Sequence, residues 1–157
     1  MSRNAIFPAL SLALCLTCFV SCTHTSFFAL KTEHIALDVA SPEQTAEWWC
    51  KHLGFNIVVK QAAPPFAIFI REHQGQFALE LYRAENTQQA PDYHNANPLQ
   101  FHIAFLSTDL DKDIARRKDA GATLVSRQTV QGSELVMLRD PSGIPIQLVQ
   151  RQQPILE

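Results

Sequence analysis

Two histidines and two oxygen-bearing side chains recur in this chain at matched positions. His34 and His102 lie 68 residues apart, and Glu80 and Gln147 lie 67 apart. Two imidazoles, one carboxylate and one carboxamide form a donor set for a single divalent metal. The composition suits Fe, Mn, Ni, Co or Zn and leaves positions for water and a chelating substrate. A metal held there would act as a Lewis acid, polarising a carbonyl or stabilising an enediolate. Glu80 carries the only carboxylate of the set, which makes it either a ligand or the general base.

The spacing belongs to a larger repeat. His34-Ile35-Ala36-Leu37 returns as His102-Ile103-Ala104-Phe105, Leu53-Gly54 as Ala120-Gly121, Gly75 as Gly143, and Glu80-Leu81 as Gln147-Leu148. One register kept over so many separated points marks two copies of one supersecondary unit. In the first copy, Thr32 to Val39 alternates as a strand. Ser41, Pro42 and Gln44 then open a helix as a capping box, Ala46, Trp49, Cys50 and Leu53 form its buried stripe, and Gly54 ends it. Strands follow near 55–61, 66–72 and 76–83, separated by Pro64-Pro65 and Gln74-Gly75. The second copy predicts a strand over 99–106, a helix over 109–120, and strands near 123–129, 134–139 and 144–150. Asp140-Pro141-Ser142-Gly143 forms the turn before the last of these. Each copy is therefore a βαβββ module, spanning 32–84 and 99–151, with a polar linker at 85–98. The expected architecture is α+β, with eight strands in a curved mixed sheet and the helices outside.

Alternation along the strands sorts the side chains by face. Ile35, Leu37 and Val39 oppose His34, Ala36 and Asp38, while Ile103 and Phe105 oppose His102 and Ala104. Likewise Leu79 and Leu81 oppose Glu80, and Ile146 and Leu148 oppose Gln147. All four donors thus fall on the face that carries small neighbours, away from the bulky apolar face that suits a helix. Arg71, Tyr82, His94, Arg139 and Trp48 are further candidates to line a pocket.

The first residues read as a targeting segment. Arg3 is followed by an apolar run from Ala5 to Val20, too short for a comfortable membrane span and suited to a signal-peptide core. Residues 1–21 are the expected signal, Cys22 the expected lipidated first residue of the mature chain, and 22–31 a tether. Phe19-Val20-Ser21-Cys22 resembles the lipobox of bacterial lipoproteins, with Phe19 in place of the usual aliphatic residue. The expected location is the cell envelope, lipid-anchored and facing the periplasm or exterior. After cleavage only Cys50 remains in the domain, so no intramolecular disulfide is available. The formal net charge is −2 and there is no basic run, which excludes a nucleic-acid-binding class.

Residues 32–151 resemble the vicinal oxygen chelate superfamily, which includes glyoxalase I, extradiol dioxygenases and bleomycin-resistance proteins. The matching stretches are His34-Ile35-Ala36-Leu37, Leu53-Gly54-Phe55, Glu80-Leu81-Tyr82, His102-Ile103-Ala104-Phe105, and Arg139-Asp140-Pro141-Ser142-Gly143 with Ile146-Gln147-Leu148. The resemblance implies metal positions at His34, Glu80, His102 and Gln147, where the last departs from the glutamate usual in metal-holding members. It implies a metal-dependent lyase, isomerase or dioxygenase acting on a small oxygenated substrate, with Glu80 catalytic. The alternative is metal-free sequestration of a small molecule, as in bleomycin resistance. A small-molecule substrate or ligand and the membrane are the expected partners, and the resemblance admits a homodimer.

Overall fold

The structure, a computed structural model, describes residues 30–75, 77–85, 89–153 and 155. The signal at 1–21 and Cys22 lie outside the described residues. From Thr32 onward the chain is one compact unit. Its order is β1 (Ile35–Asp38), α1 (Pro42–Leu53), β2 (Phe55–Lys60), β3 (Ile68–Glu72) and β4 (Ala78–Tyr82). The same pattern then repeats as β5 (Ile103–Leu106), α2 (Leu110–Asp119), β6 (Thr123–Val130), β7 (Ser133–Arg139) and β8 (Pro145–Gln150).

The eight expected strands are divided by hydrogen bonding into two four-stranded sheets, one per module, ordered β1-β4-β3-β2 and β5-β8-β7-β6. In both, the first strand runs parallel to the last and the other pairs are antiparallel. The registers match as well: Ala36 faces Glu80 in the first sheet, and Ala104 faces Gln147 in the second. Both modules contribute to one apolar core, in which Leu37, Ile70, Leu79 and Leu81 join Ile103, Val136, Leu138 and Ile146. The alternation read from sequence therefore puts the bulky faces inward.

Helix α1 starts where Ser41 leaves the extended conformation and Pro42 enters at the first helical position. It stops at Gly54, whose φ of +77° is a left-handed conformation open to glycine. The capping box is incomplete, because the Ser41 hydroxyl makes no cap hydrogen bond. In α2 the cap does form, with the Asp109 side chain accepting from the Lys112 amide at 3.2 Å.

Three bonds from α1 tie the modules together. Trp48 Nε1 donates to the Ala120 carbonyl at 2.8 Å, Trp49 Nε1 donates to Asp140 Oδ2 at 2.7 Å, and the Thr45 and Ser142 hydroxyls meet at 2.7 Å. Strand β5 is shorter than expected. The Leu99 and Gln100 amides both donate to Asn97, to its side chain and its carbonyl, and this turn holds the chain out of the sheet until Ile103.

Candidate functional site

His34 lies two residues before Ala36 on the same side of the chain. The Ala36–Glu80 register therefore sets it beside Glu80, with Nε2 3.1 Å from Oε2. Its other ring nitrogen, Nδ1, meets the Glu33 carboxylate. Phe69, opposite Glu80 on β3, presents its ring edge-on to the imidazole at 5.4 Å. The hydrogen bond to Glu33 raises the His34 pKa, slight burial opposes it, and the charges of Glu33 and Glu80 add to it. An imidazole flanked by two carboxylates can pass a proton between them, or offer two neighbouring donors to a cation.

The second module places its pair differently. His102 precedes β5, and its Nδ1 donates to the Pro98 carbonyl at 3.0 Å, which leaves Nε2 with a free lone pair. The ring borders a large cleft. Gln147 borders instead a small cavity of about 190 Å³, together with Pro98, Leu99 and Met137. His34 and Glu80 thus come together, while His102 and Gln147 open onto separate spaces. Among the described residues, no three His, Cys, Asp or Glu side chains gather in an arrangement that could hold a metal. His34 Nε2 and Glu80 Oε2 are the adjacent pair that could offer donors to a divalent metal.

The cleft beside His102 has a volume of about 750 Å³ and was not anticipated from sequence. Its walls are mostly apolar, with Ile35, Leu53 and Phe77 from the first module facing Phe101, Phe105 and Leu148 from the second. Glu72, Asp113, Arg117 and Arg151 supply charge at its margins. Arg117 Nη1 donates to Asp113 Oδ1 at 2.7 Å, and the Ser107 hydroxyl donates to Oδ2 of the same carboxylate at 2.7 Å. The Arg117 Nε is buried and has no hydrogen-bond partner among the described residues. Strand periodicity could not show this space, because the consecutive residues Phe101 to Leu106, from both faces of the chain at β5, line it.

The other candidate pocket residues have different work. Arg139 is buried and donates to the Tyr93, Ala96 and Gly143 carbonyls, fastening the linker to the second sheet. Trp48 tilts against His52 as well as bonding Ala120. The His94 ring lies against Gly143, where φ is +84° and a Cβ would stand 2.8 Å from the imidazole. By strand alternation and register, Arg71 and Tyr82 share the sheet face of Glu80.

A family profile described as a glyoxalase-like domain matches residues 34–149, which takes in both modules. No curated protein matches the sequence. Among solved structures, TnmS3, an antibiotic binding protein from Streptomyces sp. CB03234, is 16% identical with a TM-score of 0.63, covering 80% of this chain and 99% of that one. A glyoxalase family protein from Bacillus cereus is 18% identical with a TM-score of 0.65, covering 80% and 97%. A member of the glyoxalase/bleomycin resistance protein/dioxygenase superfamily from Sphaerobacter thermophilus is 17% identical with a TM-score of 0.63, covering 80% and 100%. At these identities the likeness is one of fold.

Proposed function

The chain belongs to the glyoxalase-like domain family, and from that premise we propose that it captures a small, largely apolar organic molecule without a resident metal. The cleft of about 750 Å³ carries this reading, because its volume and apolar walls suit a drug-sized ligand. It is supported by His102 not being gathered with the His34–Glu80 pair into a group of three His, Cys, Asp or Glu side chains among the described residues.

A metal-dependent lyase, isomerase or dioxygenase is the second reading. It is favoured by the 3.1 Å approach of His34 to Glu80 and by the free Nε2 of His102. In that case a divalent metal would supply Lewis-acid chemistry, and Glu80 would hold it or take the substrate's proton.

Binding of 8-anilinonaphthalene-1-sulfonate to the untagged domain in EDTA separates the two. Capture in the cleft predicts saturable binding that zinc leaves unchanged and that Ile35→Glu weakens about tenfold, by placing a charge on an apolar wall. A metalloenzyme would instead hold about one divalent ion per chain, lose it in His34→Ala or His102→Ala, and bind it more tightly in Gln147→Glu. Metal-dependent uptake of that kind, with no dye bound in EDTA, would overturn the capture reading.

A further inference from the structure

The cleft has a filled counterpart elsewhere in the same molecule. Three backbone hydrogen bonds of one module have counterparts in the other around it. Glu72 N–H donates to the Phe77 carbonyl and Asp140 N–H to the Ile144 carbonyl, both at 3.0 Å. Gly75 N–H donates to Glu72 just as Gly143 N–H donates to Asp140. In the helices, the Thr45 amide bonds to Ser41 and the Asp113 amide to Asp109, both at 3.0 Å. Glu72 therefore stands where Asp140 stands in the other module, Asp113 where Thr45 stands, and Arg117 where Trp49 stands.

In one quadrant the Trp49 indole fills the space between helix and turn. Its ring is fully buried, packs edge-to-face on Phe55 at 5.3 Å and Phe105 at 6.0 Å, and donates its N–H to Asp140. In the matching quadrant no aromatic side chain takes that place. Arg117 folds onto Asp113, its Nε is orphaned, and the open cleft remains. The Glu72 carboxylate, Asp140's counterpart, borders the cleft and has no hydrogen bond or ion pair among the described residues. Phe105 and Phe77 line the cleft and are linked through Phe55, at centroid distances of 6.2 and 6.3 Å, to the ring cluster that holds Trp49.

We propose that the cleft takes a flat bicyclic aromatic ligand bearing a ring N–H, held as Trp49 is held in the matching quadrant. The ring packs edge-to-face against Phe77 and Phe105, and its N–H donates to Glu72. This inference rests on the capture reading and adds to it the class of the captured molecule.

Indole and benzofuran test it, being nearly the same shape while only indole has an N–H. Titration of the untagged domain, followed by calorimetry, should show indole binding at least about tenfold more tightly than benzofuran, the margin of one charge-assisted hydrogen bond. Glu72→Ala should bring indole down to the benzofuran level. Arg117→Trp should plug the cleft with the side chain used in the other module, raise Tm and abolish binding of both. Equal binding of indole and benzofuran, or a preference that survives Glu72→Ala, overturns the inference while the cleft stands as an apolar site. Failure of indole where 8-anilinonaphthalene-1-sulfonate still binds does the same. Failure of all three probes overturns the capture reading itself.

Discussion

Asp140 is a carboxylate held almost entirely out of water, 2% exposed, at the joint between the modules. Burial pushes its pKa up to about 6, although Trp49 Nε1 and the Ile144 and Ser142 amides, with the nearby His94 charge, all favour the ionised form. The consequence for stability has a definite sign. A carboxyl with a raised pKa binds its proton more tightly folded than unfolded, so its contribution is present at low pH and is lost as pH rises through about 6. A shift of about two units corresponds to about 3 kcal/mol. Denaturant unfolding of wild type should therefore lose about that much relative to Asp140→Asn between roughly pH 4 and pH 7. A difference that stays flat across the range would show Asp140 titrating normally. Residues of this kind were only half legible. The His34–Glu80 approach follows from the repeat and strand alternation, since His34 immediately precedes β1, which runs parallel to the β4 strand of Glu80. Asp140 reads as an ordinary turn aspartate, because the indole that covers it comes from a helix 91 residues away.

Among the elements, α1 carries the largest share of the joint. Ala46 and Trp49 are fully buried and Thr45 nearly so, whereas α2 buries only Leu110. The apolar spacing in α1 announced that stripe, and the proline and glycine at its ends announced its limits. The start of β5 was not announced, because hydrophobic alternation runs back to Leu99 while the Asn97 turn, a local hydrogen-bond effect, overrides it. Two substitutions separate what Trp49 contributes by volume from what it contributes by its N–H. Trp49→Ala should cost about 3–5 kcal/mol of unfolding free energy by leaving a cavity in the core. Trp49→Phe keeps most of the ring and strands the Asp140 oxygen, which should cost about 1–3 kcal/mol, more at neutral than at acid pH. A cost below about 1 kcal/mol for Trp49→Ala would mean that the joint does not depend on this ring.

At the scale of the whole molecule, one offset in the sequence specified two modules, and the structure returns them with the same strand order and register. What the offset could not reveal is where the copies diverge in packing, and the cleft lies at such a divergence. The rest of the chain bears on location. No helix among the described residues is long and apolar enough to cross a membrane. Cys50, the one thiol left after the expected cleavage, is half-buried, and burial raises its pKa and keeps it from acting as a thiolate. A domain with one shielded thiol suits an oxidising compartment, where a reactive unpaired cysteine would form mixed disulfides. We propose that residues 1–21 direct export and that Cys22 carries the lipid, with 22–31 as a tether. Wild type should then sediment with membranes and partition into detergent, while Cys22→Ser should move to the supernatant with its melting temperature unchanged, since the substitution lies outside the packed unit that begins at Thr32. Equal retention of both proteins in the membrane fraction would overturn the lipid anchor and point to an uncleaved apolar segment as the attachment.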